Sequence, residues 1–167
     1  DQVIALAPIK LDDVMLVTKN GYALRFNIEE VPVIGAKAAG VKAINLKKDD
    51  VLAAAFIANT DSLYLLTQRG SLKRMAVANR GLQVLRELKT KPHRIFAAGP
   101  VYGEATDFDL FTTEAEASEE QILQVLSNKG TAYEINLADL SLSERTSNGS
   151  FISDTISDEE VFSAYIK

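Results

Sequence analysis

The sequence has no cysteine and a single histidine, His93. Without cysteine there is no disulfide framework and no cysteine-ligated zinc site, which fits a reducing compartment. A Ser-His-Asp triad would have to use His93 as its base. Nothing pairs a serine and a carboxylate with it, and there is no G-x-S-x-G elbow. His93 follows Pro92 in a basic stretch and reads as a surface residue. No basic segment leading into a long apolar stretch opens the chain, so no secretory signal is expected. The longest wholly apolar run, Val51 to Ala58, has eight residues, against the ~20 that a membrane helix needs. No membrane span and a cytoplasmic location are the expectation.

What is present is an apolar content of 47% in 167 residues, enough for a real core and too much for a disordered tail. The net charge of −5 hides an asymmetry. Residues 1–94 hold 15 Lys and Arg against 9 Asp and Glu, a balance of +6. Residues 95–167 hold 3 against 14, a balance of −11. A basic stretch beside an acidic one points to a polyanionic partner for the first part only.

The dominant feature is a repeat. LVTKNGYALRF (Leu16 to Phe26), LLTQRGSLKRM (Leu65 to Met75) and VLSNKGTAYEI (Val125 to Ile135) share two apolar residues, Thr or Ser, two polar residues and a glycine. The glycines Gly21, Gly70 and Gly130 are 49 and 60 residues apart. Each copy reads as a β-hairpin: runs such as Val14 to Thr18 and Leu63 to Thr67 suit strands, and Asn20-Gly21 signals a type I′ turn. Alternation then puts Tyr22, Leu24 and Phe26 on one face and Ala23, Arg25 and Asn27 on the other. A short apolar run closes each unit, beginning at Val51, Arg94 and Glu160. Gln2 to Ile9 looks like the same closing strand without its hairpin, as expected for a piece of a longer array. A second glycine follows the hairpin glycine by 19 residues in units one and three (Gly40, Gly149) and by 11 in unit two (Gly81). Unit two has therefore lost about eight loop residues, a change loops tolerate and strands do not.

These spacings are propeller-like. The expectation is an all-β fold of about three four-stranded blades plus a strand of a preceding blade, with repeats at about 12–58, 61–101 and 120–167. An insertion at about 102–119, projecting as an extra hairpin or loop, separates the last two.

Candidate chemistry is sparse. GAKAAGVK, Gly35 to Lys42, has the glycine spacing of a P-loop, but Val41 stands where the lysine belongs and no Ser or Thr follows. It also lies between strands, which excludes nucleotide binding. Asp12-Asp13, Asp49-Asp50 and Asp158-Glu159-Glu160 recur at one repeat position before a strand. That favours turns and strand ends over metal or acid-base work. The basic residues say more. Arg25 and Arg74 share one repeat position on the face opposite the apolar one. Lys37 and Lys42 flank the first inter-strand loop, and Arg69, Lys73, Arg80, Arg86, Lys89, Lys91 and Arg94 crowd the second unit. Cations at matching outer positions of stacked repeats make a stripe suited to a phosphate backbone. Glu134 replaces Arg25 in the third unit, so the stripe is expected to stop there, leaving Lys129 and Arg145 outside it.

The hairpin LVTKNGYALRF, followed by NIEEVPVIGAKAAGVKAI and VLAAAFI, resembles the repeat of the C-terminal domain of bacterial type IIA topoisomerase A subunits. The resemblance is strongest from Gln2 to Val101 and weak from Tyr102 to Glu119. It implies a β-pinwheel, a propeller-shaped ring whose blades exchange strands, with double-stranded DNA along a basic outer rim. It also implies partners: an ATPase B subunit, together with the rest of the A subunit. The family's catalytic tyrosine, magnesium site and ATPase lie elsewhere, so no cofactor is expected in this chain, nor any cutting of DNA by it alone. The gyrase branch carries a box, Q-R-R-G-G-K-G. The matching stretch here, Ile34 to Gly40, keeps only Gly40, a departure that favours the topoisomerase IV branch. The family implies an association with the chromosome, where the whole enzyme decatenates DNA and relaxes supercoils. A competing reading is a protein-interaction propeller without nucleic-acid binding; the basic balance of the first part favours DNA.

Overall fold

A computed structural model of the chain describes residues 3, 5, 6, 8, 13–46, 50–77, 82–83, 94–103 and 120–167. Among these residues the only helical segments are short 3-10 turns, at Ile28–Glu30, Leu137–Asp139 and Asp154–Asp158. Everything else regular is strand.

The three repeated segments form antiparallel hairpins: β1 (Asp13–Thr18) with β2 (Tyr22–Asn27), β4 (Ser62–Thr67) with β5 (Ser71–Ala76), and β8 (Ile122–Ser127) with β9 (Ala132–Asn136). The shared glycines occupy equivalent turns, with φ of 86°, 76° and 86° at Gly21, Gly70 and Gly130. The turn is not the two-residue type I′ loop expected from Asn20-Gly21. The glycine amides donate to the carbonyls of Thr18, Thr67 and Ser127, at 3.1, 3.0 and 3.0 Å. The four-residue turn therefore ends on the glycine, which takes the left-handed conformation that lets the second strand resume. The preceding Thr or Ser of the repeat has its own task. The hydroxyl oxygens of Thr18, Thr67 and Ser127 accept from the amides of Tyr22, Ser71 and Thr131. All three side chains are buried, so a residue without a side-chain acceptor would orphan an amide.

The closing runs pair antiparallel with the first strand of each hairpin: β3 (Leu52–Ala58) on β1, β7 (Ile95–Val101) on β4 and β11 (Val161–Ile166) on β8. The fourth strand of a blade comes from the next unit. β6 (Leu82–Gln83), from the second unit, pairs with β2, and β10 (Ser150–Phe151), from the third, pairs with β5. The sheet orders are β3-β1-β2-β6, β10-β5-β4-β7 and β11-β8-β9. This strand exchange is the hallmark of the pinwheel. Two of the three blades are thus four-stranded as expected; the third has three strands among the described residues, since its own short strand is lent to the second. Val3, Ala5, Leu6 and Pro8, the described residues of the expected preceding strand, carry no strand assignment. Most of the insertion, residues 104–119, lies outside the described residues.

Blades stack face to face, and β3 lies beside β7, which puts β6 and β10 at the far, outer edges. Met15, Val17 and Ala23 of the first blade meet Leu63, Leu65, Met75 and Ile95 of the second. Tyr64, Leu66 and Leu72 leave the other face of the second blade to meet Leu123, Val125 and Leu137 of the third. Every residue of β4 is buried. A strand covered on both faces reads as a continuous apolar run, and each fully buried leucine contributes about 2 kcal/mol.

Candidate nucleic-acid interface

Burial on both faces changes the role of the repeated arginine position. Arg25 is not a solvent-facing cation. Its Nε donates to Asp13 Oδ2 at 2.5 Å, and its Nη1 reaches Asp61 Oδ1 at 3.3 Å and the Val77 carbonyl at 3.4 Å. Asp61 and Val77 flank the second hairpin, so Arg25 ties the first blade to the second. Arg74, 2% exposed, is sunk further. Its Nε donates to Ser62 Oγ at 3.0 Å and its Nη2 to the Gly103 carbonyl, while Nη1 is buried with no partner. Burial lowers its pKa. Ser62 occupies the position of Asp13, so the geometry repeats with a neutral acceptor. The expected outer stripe through Arg25 and Arg74 is corrected accordingly. Alternation puts Arg25 on the face of Ala23 and Arg74 on the face of Leu72, and each of these faces packs on the next blade and does not meet water. In the third unit Glu134 hydrogen-bonds Gln124 and lies 3.9 Å from the Lys167 ammonium.

Lys73 is also removed from the surface. It is 2% exposed, and its ammonium donates to the carbonyls of Ser147, Arg145 and Glu144 at 2.8, 2.9 and 3.4 Å. Burial, and then the Arg145 guanidinium, push its pKa down to about 8.

The exposed cations lie elsewhere. Lys37 and Lys42 stand in the extended segment after the first hairpin, which is exposed throughout residues 32–43. A second group gathers at the hairpin-turn end of the blades. Exposed Arg94 donates from Nη1 to Asn20 Oδ1 at 3.0 Å, in the first turn. Backbone bonds from Ile95 to Lys19 and from Gln68 to Arg94, both 2.8–2.9 Å, stitch the first and second turns together. Lys19 is exposed and Arg69 half-buried at this end. Sequence reasoning misses Lys19, although its place beside the Asn20-Gly21 turn signal is visible. Arg80, Arg86, Lys89 and Lys91 lie outside the described residues, as does His93.

The acidic pairs behave as turn and strand-end groups where they are described. Asp50 Oδ1 accepts from the amides of Asn20 and Val51 at 3.1 and 2.9 Å, and Asp13 holds Arg25. Among the described residues no three His, Cys, Asp or Glu side chains come together as metal ligands would. No helix among them is long and apolar enough to cross a membrane. An open depression of about 450 Å3 beside β3 and β7 is lined by alanines, Tyr64 and Gln121. Burial raises the Tyr64 pKa.

This architecture is matched in known proteins. Residues 12–59 match the family described as DNA gyrase C-terminal domain, beta-propeller. The chain is 67% identical over its whole length to the A subunit of DNA topoisomerase 4 from Streptococcus pneumoniae serotype 4, of which it spans 21%. It is 40% identical over 84% of its length to the Bacillus subtilis protein of the same name, spanning 17% of it. It thus spans about a fifth of the curated relatives it matches. Among solved structures, the C-terminal domain of DNA topoisomerase IV superposes with a TM-score of 0.74 at 32% identity, over 93% of this chain and 46% of that one. A DNA gyrase A C-terminal domain superposes at 0.68 and 18% identity, over 95% of this chain and 52% of that one, a likeness of fold.

Proposed function

Because the chain belongs to the C-terminal domains of bacterial type IIA topoisomerase A subunits, and is most like that of topoisomerase IV, we propose that it is a non-catalytic DNA-holding module. It bends and positions the duplex to be passed during decatenation and supercoil relaxation, on the chromosome. Strand cutting, magnesium and ATP belong to its partners in the whole enzyme, an ATPase B subunit together with the rest of the A subunit.

The observation that carries this reading is a set of exposed cations, some at the turn end of the stacked hairpins and some on the exposed segment that follows the first hairpin. Lys19 and Arg94 stand at the hairpin-turn end and Lys37 and Lys42 on the extended segment. Cations presented at the ends of stacked blades and on the segment beside them can follow a phosphate backbone. Such contacts orient a duplex without reading bases, so binding shows little sequence preference.

A gel-shift titration with duplex DNA at several salt concentrations tests it. Binding through Z phosphates falls with a log–log slope of roughly −0.9Z; with the four exposed cations above, a slope of about −3 to −4 is expected. Absence of binding, or binding indifferent to salt, contradicts the reading and leaves a protein-interaction propeller.

A further inference from the structure

Strand exchange lays the arm of one unit, the segment between its hairpin and its closing strand, on the outer edge of the blade before it. Both exchanged strands use one register. Leu82 and Gln83 pair with Ala23 and Tyr22, and Ser150 and Phe151 pair with Leu72 and Ser71. The first and second residues after the arm glycine thus meet the second and first after the hairpin glycine. The arm of the first unit, residues 31–46, pairs with no strand among the described residues, and residues 32–43 are exposed. The outer edge of β9 also has no strand beside it among the described residues. The first is a donor without an acceptor, and the second an acceptor without a donor.

The first arm already has the shape of a docked one. In the third unit Ser147 N donates to Glu144 O at 3.1 Å and Gly149 has φ +76°. In the first, at the same spacing, Ala38 N donates to Gly35 O at 2.9 Å and Gly40 has φ +94°. Gly149 needs to be glycine because the Leu72 backbone leaves no room for a Cβ, whereas a Cβ at Gly40 would meet nothing within 4 Å. An arm preformed in this way loses little conformational freedom on docking. Charge selects the acceptor. Residues 1–94 carry +6 and residues 95–167 carry −11, so like ends repel and unlike ends attract. The arm itself bears Lys37 and Lys42, and β9 bears exposed Glu134.

We propose that two copies of this chain pair head to tail, the first-unit arm of each adding to the outer edge of β9 in the other, with Val41 opposite Ala132 and Lys42 opposite Thr131. Such a contact closes when the rotation between copies permits a ring. Two copies of three blades make six, within the roughly 4–8 of propeller rings, and three copies exceed it. The pairing goes beyond the DNA-holding reading and stands whether or not the chain binds DNA. It leaves Lys42 accessible, since its counterpart Phe151 stays 43% exposed when docked.

The chain has no cysteine, so introduced thiols report contacts without background. Ile152 N donates to Gly70 O at 3.0 Å, which makes the adjacent Phe151↔Ser71 a non-hydrogen-bonded pair, with Cα atoms about 4.5 Å apart, a distance a disulfide spans. Lys42 and Thr131 are the counterparts. Chains carrying Lys42→Cys, mixed with chains carrying Thr131→Cys and oxidised, should therefore form a disulfide-linked pair. Lys42→Cys mixed with Phe162→Cys, on the opposite edge of the third blade, should not. Light scattering should give twice the mass of one chain, and Val41→Pro, which removes a ladder amide from the exposed arm, should halve it. A single-chain mass at every concentration overturns the proposal. So does a dimer that survives Val41→Pro, or one that cross-links as well through Phe162→Cys as through Thr131→Cys.

Discussion

Ile156 lies directly over Gly70: its fully buried side chain fills the space a Cβ at Gly70 would occupy. The isoleucine sits in the 3-10 turn of the third unit and the glycine in the hairpin turn of the second, so the pair is a joint between units. The equivalent Gly130 has open space around it.

The two glycines therefore separate conformational strain from lost packing. Gly130→Ala should cost about 1 kcal/mol, the price of a left-handed alanine. Gly70→Ala should cost about 3 kcal/mol, because displacing Ile156 adds overpacking. Urea unfolding of the two variants checks this; equal costs would show that the Ile156 contact carries no energy.

The buried arginine gives a second prediction, about stability and not binding. Arg74→Ala should lose about 2–3 kcal/mol, since it leaves a buried cavity unfilled, whereas the carbonyl of exposed Gly103 can turn to water. Arg74→Met should be close to neutral, because it fills the space and removes a guanidinium nitrogen that has no partner. Neither should alter the salt slope of DNA binding. A lowered slope in well-folded Arg74→Met would return Arg74 to the interface.

Lys73 sets a pH dependence. Its folded pKa is about 8 and that of an unfolded lysine about 10.4. Between these values the unfolded chain binds more protons, so stability rises with pH there by up to about 1 kcal/mol per unit. Below about pH 8 both forms are charged and the slope vanishes. Denaturant midpoints from pH 7 to 10 should rise more in the wild type than in Lys73→Met. Parallel profiles would contradict the burial argument.

The turn hydroxyls offer a fourth check. Thr67→Val removes the acceptor of the Ser71 amide at 3.0 Å while keeping shape, and should cost about 1–2 kcal/mol. Thermal melting would show it; a change within error would mean that the amide finds another partner.

The hairpins are legible in the sequence because each carries a local signal: Thr or Ser, two polar residues and a glycine between apolar runs. The exchanged strands are not legible from pattern. β6 and β10 have two residues each, too short for any periodicity, and only the family resemblance implies them. For Arg25 and Arg74 alternation yields the correct face but the wrong surroundings. A period of two distinguishes the faces of a strand and cannot say whether water or another blade covers the polar one. Lys73 illustrates the same limit from the other side, since its cage is made of carbonyls more than 70 residues away. The exposed Lys37, Lys42 and Arg94 are legible because they sit in loops or at a strand end.

The most direct test of the DNA-holding account is the salt slope of a triple variant, Lys19→Ala, Arg94→Ala and Lys42→Ala, beside that of the wild type. These side chains are exposed, so the fold should persist. The account predicts a slope smaller by about 2.7, three phosphate contacts at roughly 0.9 each. A slope equal to that of the wild type, in a variant that melts at the wild-type temperature, would contradict it.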